Sequence, residues 1–248
     1  MNPMEQFAIK PIVPLHIGGY DVSFTNQSLL MVLVALAASL FLTLAMSKRS
    51  LVPSRTQSMA EMSYEFVANM MESSTGEDGL RFFPFVFTIF VFVLFSNFFG
   101  MIPGSFTVTS QIAVTFSLAS LVILTVIVTG FVKHGFGFLK LFVPKAPWYL
   151  LILLVPIEVI SFLTRPISLS VRLFANMLAG HTMLAVFGGF VVLLGGAGGV
   201  LSLLSIAPMA LIVAIMLLEL LVAFLQAYVF AILTCIYLNE ALHLHDSH

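Results

Sequence analysis

Charged residues are scarce in this sequence. Of its 248 residues only 8% are Asp, Glu, Lys or Arg, whereas a soluble domain carries about 25%. The 10 basic and 11 acidic residues give a net charge of −1, which leaves no basic surface for nucleic acid. The single cysteine, Cys235, excludes a disulfide framework and a multi-cysteine metal site. Hydrophobic residues make up 60%, which indicates a membrane protein with several spans.

The two ends of the chain lack signals of their own. Residues 1–27 contain no apolar run, so we expect no cleavable signal peptide there and interpret them as an external segment. The histidines near the C-terminus resemble a metal-binding tract only superficially, and a solvated tail is the simpler interpretation. We predict neither a metal nor a cofactor site.

Three apolar runs between residues 28 and 132 are long enough to cross a bilayer, which takes about 20 helical residues. They are Ser28–Met46, Phe82–Phe99 and Ile112–Val132. Basic residues follow the first and third runs, and the positive-inside rule places those ends in the cytoplasm. These residues are Lys48, Arg49, Arg55, Lys133, Lys140 and Lys145. The N-terminus is therefore predicted to lie outside and the C-terminus inside.

Residues 53–73 have a different pattern. Met59, Met62, Phe66 and Met70 recur at helical spacing, with charged and polar residues on the other faces. The pattern predicts an amphipathic helix that begins near Pro53, ends at Gly76 and lies along the cytoplasmic membrane surface. A surface helix packed on the spans is an equally good interpretation, and the two are compatible.

The last third of the chain consists of two apolar stretches of nearly 40 residues, Leu150–Phe187 and Leu201–Leu238. A straight helix of that length would be ~57 Å long, about twice the ~30 Å hydrocarbon core. Each stretch must be tilted, bent or broken, and a glycine-rich turn at residues 188–199 joins them. The sequence therefore predicts a tilted hairpin over residues 150–239. We interpret the whole chain, 1–248, as one all-α polytopic membrane domain.

Six polar residues interrupt the first arm of this hairpin at helical spacing. They are Glu158, Ser161, Arg165, Ser168, Arg172 and Asn176. At 100° per residue they lie within roughly 80° of one another, and charges at membrane depth must face protein or water. Glu158 could neutralise Arg165. Arg172 has no acidic residue within two turns, which suggests a partner in another chain.

The second arm has its own sparse polar residues. Glu219 and Gln226 share one face with the small Ala223 between them, and polar groups at this depth suggest function. One alternative is that Glu219 forms a buried pair with His181 or Arg172 that only fastens the hairpin.

The polar residues stand in a specific context. The stretch SLSVRLFANMLAG at residues 168–180 and LQAYVF at 225–230 resemble subunit a of the rotary, proton-translocating ATP synthases. SNFFGMIP at 96–103 and SFTVTSQIAVTF at 105–116 resemble the middle spans of that family. The resemblance covers the chain from about residue 24 onward.

This resemblance implies a function and partners. The chain would be a non-catalytic stator subunit in a bacterial inner membrane, whose hairpin faces a rotating ring of c subunits and whose neighbours include b-type peripheral stalk subunits. Two offset half-channels would lead protons from the outer face to the ring and from the ring to the cytoplasm.

Residue roles follow from the same resemblance. Arg172 matches the essential arginine, and Asn176, Gln226 and Ser168 match polar residues near it. His181 and Glu219 match the pair of the outer half-channel, and Glu158 matches the acid of the cytoplasmic one. Many bacterial relatives have the His181 and Glu219 residue types exchanged, so the arrangement here points to an alphaproteobacterial or mitochondrial type.

Other function classes fit the sequence less well. A secondary transporter would favour inverted repeats with broken helices, and an intramembrane hydrolase would need a nucleophile beside a base or a motif such as HExxH. We find neither pattern in this sequence. A secondary transporter, an intramembrane hydrolase and an unrelated ion channel are therefore kept only as weaker alternatives.

Overall fold

The structure, a computed structural model, describes residues 11–14, 16–17, 20–21, 23–47, 53–102, 107–143 and 147–243. Its helices are α1 (Asn26–Ala45), α2 (Arg55–Gly79), α3 (Phe83–Gly100), α4 (Ile112–His134), α5 (Trp148–Gly196), α6 (Val200–Leu203) and α7 (Ile206–Leu242). Five helical stretches among the described residues are long and apolar enough to cross a membrane. The predicted all-α polytopic fold is therefore confirmed.

Four short strands near the N-terminus were not predicted. β1 (Pro11–Val13) pairs antiparallel with β4 (Phe24–Thr25), and β2 (His16–Ile17) pairs with β3 (Tyr20–Asp21). Pro11 is the first residue of its strand, a position where the missing backbone N–H costs little. Strands this short have no alternating pattern that a sequence could reveal.

The first two long helices begin with hydroxyl caps. The Thr25 hydroxyl accepts a hydrogen bond from the backbone N–H of Ser28 at 3.3 Å, at the start of α1. Ser54 does the same for Gln57 at 3.3 Å, at the start of α2. Helical geometry in α2 is interrupted at Gly76, with φ 65° and ψ −165°. The break therefore falls at the glycine where the sequence predicted the end of this helix.

The buried face of α2 differs from its predicted apolar stripe. Ala60, Val67 and Met71 are buried in the chain, whereas Met59 and Met62 are more than half exposed. The packed face thus includes Met70 of the predicted stripe together with Met71, whereas Met59 and Met62 point away from the rest of the chain. The helix has two apolar faces, only one of which this chain covers.

The hairpin has a shorter turn than predicted. α5 continues through Pro156 and Pro166 and through the glycines up to Gly196. The direction of the chain changes at Gly198 and Gly199, whose φ angles of 70° and 63° favour glycine. Pro208 lies in the first turn of α7, where its missing N–H has no helical partner to lose. The second apolar stretch is interrupted at residues 204–205, between α6 and α7.

The chain divides into two compact units. The first comprises the described residues of Met1–Leu40, Phe92–Gln111 and Leu173–Ala227. The second comprises those of Phe41–Val91, Ile112–Arg172 and Tyr228–His248. Each unit thus holds one half of α5 and one half of α7. Only 6% and 11% of the residues in the most apolar 18-residue windows of α5 and α7 are buried by this chain. The second half of α7 is packed more closely, with Phe230, Cys235 and Leu238 fully buried.

Candidate functional site

In the first unit the hairpin turn brings His181 and Glu219 together. His181 precedes Gly198 by 17 residues and Glu219 follows it by 21, so the two lie at nearly matching heights on the antiparallel arms. The His181 Nε2 and Glu219 Oε1 atoms are 3.6 Å apart, and the side chains are 12% and 7% exposed. The turn at Gly198 and Gly199 lies at the end of the predicted glycine-rich segment 188–199, and this position gives the two arms nearly equal lengths up to His181 and Glu219.

Gly180 makes this approach possible. A Cβ atom at Gly180 would lie 2.7 Å from Oε1 of Glu219 and 3.1 Å from its carboxyl carbon. Any side chain here would push the Glu219 carboxylate away from α5. The glycine thus provides the space in which an acid on α7 reaches an imidazole on α5.

Thr107 is a third member of the site. Its Oγ1 lies 3.1 Å from His181 Nε2, and the same oxygen lies 3.4 Å from the carbonyl oxygen of Gly100. Thr107 is 2% exposed and directly precedes a short 3-10 turn, Val108–Ser110. The Ser110 hydroxyl donates to the Thr107 carbonyl at 2.7 Å, which holds the backbone of the turn in place.

Asn97 connects three elements of this unit. Its side-chain N–H donates to the Ala223 carbonyl at 3.1 Å, and its Oδ1 accepts from the Thr109 hydroxyl at 3.0 Å. Asn97, Thr109 and Ala223 are each 0% exposed. Because Ala223 lies one helical turn after Glu219, this network fixes the part of α7 that carries the acid.

Sequence reasoning did not select Asn97, Thr107 or Thr109 as site residues. All three lie in the stretches SNFFGMIP and SFTVTSQIAVTF, which supported only the family resemblance. Their signal was the presence of amide and hydroxyl groups beside an apolar span, where polar side chains need partners. Which partners they find depends on how the helices pack, and the sequence does not show that.

Several polar atoms of the site have unused hydrogen-bonding capacity. Both carboxyl oxygens of Glu219, the hydroxyl of Ser96 and the amide nitrogen of Gln226 are buried and have no hydrogen-bond partner among the described residues. Native proteins rarely leave such groups unsatisfied without a water, an ion or a functional reason. An acid and an imidazole within 4 Å can exchange a proton, and their titrations belong to the pair.

Arg172 belongs to the second unit. It is exposed on the chain and has no ion pair among the described residues. Ser168 is also exposed, whereas Glu158 and Asn176 are half-buried. The side chains that α5 buries between them include Phe162, Leu169, Leu173 and Met177, together with Ser170, whose hydroxyl lies 3.0 Å from that of Thr115. Of the polar stripe, Ser161, Ser168 and Arg172 are exposed on this chain.

The partner suggested for Arg165 was wrong. Arg165 pairs with Glu240 of α7, and not with Glu158 one heptad earlier on its own helix. The guanidinium carbon also lies 4.9 Å from the centre of the Tyr237 ring and 5.6 Å from that of Phe162. Helical spacing shows only neighbours within α5, whereas the stronger partner comes from the returning arm of the hairpin.

The site offers few ligands to a metal. Within the part of the chain that the structure describes, no group of three or more His, Cys, Asp or Glu side chains could hold a metal ion. His181 and Glu219 can bind and release protons, and Thr107 can donate and accept hydrogen bonds.

Comparison with known proteins gives the family context of this geometry. The family described as ATP synthase A chain matches residues 28–239. The chain is 62% identical over 244 residues to the ATP synthase subunit a of Mesorhizobium japonicum, which covers 98% of this chain and 97% of that protein. It is 63% identical over 243 residues to the corresponding subunit of a Chelativorans species, with 98% of both chains covered. The identity to the subunit of Allorhizobium ampelinum is 60% over 243 residues, 98% of this chain and 97% of that one.

Proposed function

The chain belongs to the ATP synthase A chain family, and we propose that its hairpin passes protons to and from the carboxylates of a c-subunit ring. Subunit a is a proton-translocating stator subunit of the membrane sector and is not itself catalytic. In bacteria it is an inner-membrane protein. The alphaproteobacterial relatives confirm the type that the arrangement of His181 and Glu219 suggested.

The exposed Arg172 is the observation that carries the proposal. A guanidinium at membrane depth costs several kcal/mol unless it faces protein or water. Among the described residues it has no ion pair, and the surface around it is uncovered. A carboxylate on a c-subunit helix would supply the missing counter-charge. Arginine suits this role because it keeps its proton when desolvated, so that it attracts the ring carboxylate without conducting the proton itself.

Two groups of residues would lead protons to and from this arginine. His181 and Glu219 form the outer path, with Asn176, Gln226 and Ser168 near the ring-facing surface. Glu158, which is half-buried and has no ion pair among the described residues, serves the cytoplasmic path. The unsatisfied oxygens of Glu219 and amide of Gln226 support this assignment, because water in a half-channel would satisfy them.

The proposal includes an orientation and neighbours. Residues 1–27 lie outside the cell and the C-terminus lies in the cytoplasm, as the basic residues near the span ends favour. α2 lies along the cytoplasmic membrane surface, with the exposed Met59 and Met62 toward lipid. The c ring covers the polar stripe of α5 within the 150–239 hairpin, and b-type stalk subunits complete the stator.

Replacing Arg172 with lysine tests the proposal. We expect Arg172→Lys to abolish proton-driven ATP synthesis, because a desolvated ammonium can lose its proton and lacks the planar fork of guanidinium. The measurement is ATP synthesis by membrane vesicles that contain this chain in an assembled complex. Arg165→Lys is the matched control, since Arg165 already has Glu240 as its partner, and it should retain substantial synthesis.

Near-normal synthesis in the Arg172→Lys membranes would contradict the proposal. Equal losses in both variants, at equal amounts of assembled complex, would show that any arginine of this helix is needed and that Arg172 has no special role.

A further inference from the structure

One nitrogen of His181 faces two different groups. Nε2 is 3.1 Å from the Thr107 hydroxyl oxygen and 3.6 Å from Glu219 Oε1. An imidazole nitrogen either carries a proton and donates it or is bare and accepts one hydrogen bond. The two neighbours of Nε2 therefore suit different states of the ring. The carboxylate can only accept from Nε2–H, whereas the hydroxyl can donate to the bare nitrogen or accept from the protonated one.

The Thr107 hydroxyl also has a second acceptor. The Gly100 carbonyl lies 3.4 Å from the same oxygen, and a hydroxyl has a single proton to donate. The position of the oxygen is fixed, because Thr107 is buried and its carbonyl is held by Ser110. Gly100 is close as well, since a Cβ there would lie 2.6 Å from the Thr107 methyl group. The oxygen is thus held in place while its proton can rotate between two acceptors.

We propose that Thr107 is a positioning residue of the proton path, whose hydroxyl turns between His181 and the Gly100 carbonyl as Nε2 loses and gains its proton. The inference rests on the proposed function of His181 and Glu219. While Nε2 is bare, the Thr107 hydroxyl donates to it. When the Glu219 acid transfers its proton, its O–H bond breaks and an Nε2–H bond forms, which leaves a carboxylate beside an imidazolium.

In the protonated state Thr107 keeps its own proton and turns it toward the Gly100 carbonyl. Its oxygen then accepts a hydrogen bond from Nε2–H. The hydroxyl thus gives Nε2 a suitable partner before and after the transfer, and no proton passes through Thr107 itself. Glu219 of α7 is a charged group that lies against this ring. Thr107 and, through it, the Gly100 carbonyl at the end of α3 are neutral groups beside it.

Three variants of the assembled complex separate the hydroxyl from the shape of the side chain. Thr107→Val keeps the branched shape and removes the hydroxyl, and Thr107→Ser keeps the hydroxyl. Thr234→Val removes another buried hydroxyl, one that donates to the Phe230 carbonyl of α7 and does not contact His181, Glu219 or Asn97. The measurement is ATP-driven proton pumping by inverted membrane vesicles between about pH 6 and 9, per amount of assembled complex.

We expect Thr107→Val to lower pumping at neutral pH roughly tenfold, because the bare nitrogen loses a donor while the protonated one keeps Glu219. Without this donor the bare state of Nε2 is less favourable, so His181 keeps its proton up to a higher pH. The pH of half-maximal pumping should therefore rise by about one unit. Thr107→Ser should keep the wild-type profile. Thr234→Val should keep the profile even if it lowers the amount of complex. A Thr107→Ser profile as displaced as that of Thr107→Val would overturn the inference, since keeping the hydroxyl would then not preserve the profile.

Two further variants keep the test decisive. If Thr107→Val fails to assemble, Thr107→Ala is compared with Thr107→Ser, because both lack the methyl group and only one has the hydroxyl. His181→Ala distinguishes a failure of the proposed proton path from a failure of the role proposed for Thr107. Normal pumping in His181→Ala would contradict the proposed proton path itself. Impaired pumping in His181→Ala together with a normal profile in Thr107→Val or Thr107→Ala would overturn only the role of Thr107.

Discussion

Two acid–base pairs join the same two helices, one in each compact unit, and they are built differently. In the second unit Arg165 of α5 pairs with Glu240 of α7 while Tyr237 and Phe162 flank the guanidinium. In the first unit His181 and Glu219 are 3.6 Å apart, and both oxygens of the acid lack a hydrogen-bond partner among the described residues.

The first pair can only hold the two helices together, whereas the second pair can also exchange a proton. Arginine is permanently charged and does not give up its proton, so Arg165 can hold Glu240 as an ion-pair partner but cannot pass a proton to it. Histidine gains and loses a proton readily, and a carboxylate with unsatisfied oxygens is free to take one. The same pair of helices thus carries a fixed cross-link in one unit and a reversible one in the other.

Exchanging the members of the reversible pair should have the largest effect. We expect His181→Glu or Glu219→His alone to reduce proton pumping to near background, since each leaves two like groups side by side. The double exchange should restore a measurable part, because an acid and an imidazole again face each other. Pumping by inverted vesicles at equal amounts of complex is the measurement. A double variant no better than the worse single one would mean that the two residues act independently.

Breaking the fixed pair should have a moderate effect of a different kind. Arg165→Met leaves the Glu240 carboxylate without its partner, and a part-buried unpaired charge costs about 1–3 kcal/mol. We expect less assembled complex and a lower thermal midpoint, with nearly normal pumping per complex. The double variant Arg165→Met with Glu240→Leu should recover much of the assembly, because an ion pair can be replaced by apolar contacts.

The same double replacement distinguishes the two pairs. His181→Leu with Glu219→Leu should assemble, yet it should not pump. If this double variant pumps protons, His181 and Glu219 only fasten the hairpin, which is the alternative that the sequence left open.

An exposed ion pair should show the smallest effect. Lys133 at the end of α4 donates to Asp78 at 2.9 Å, with side chains 39% and 58% exposed. Water and salt weaken such pairs, so Lys133→Met should change neither pumping nor the thermal midpoint of the complex measurably. A loss comparable to that of Arg165→Met would show that burial is not what separates the strong pairs from the weak ones.

The sequence predicted most of the fold because the elements are long. The first three apolar runs match α1, α3 and α4 within a few residues, and Gly76 interrupts α2 as predicted. The glycine-rich turn was placed too early, since Gly188, Gly189, Gly195 and Gly196 remain helical. Apolar surroundings can keep glycine in a helix, so composition alone does not show which glycines form a turn.

The site was predictable only in part, and its partners depend on the packing of the helices. Arg172, His181 and Glu219 are distinctive because charge and imidazole are rare in apolar helices. The proximity of His181 and Glu219 depends on a turn at Gly198, and the partner of Arg165 lies 75 residues later. Thr107 and Asn97 are ordinary residues in sequence, and they are distinguished only by the groups that packing places beside them.

The uncovered Arg172 also bears on how such a motor would be built in the cell. Before a ring arrives, the newly inserted chain would hold a charge against lipid at a cost of several kcal/mol, comparable to the whole stability of many domains. The ring would then stabilise the stator that feeds it, and the stator would mature only in the presence of the ring. Orphan copies would be the strained ones that membrane proteases remove, which would keep rotor and stator in matched supply.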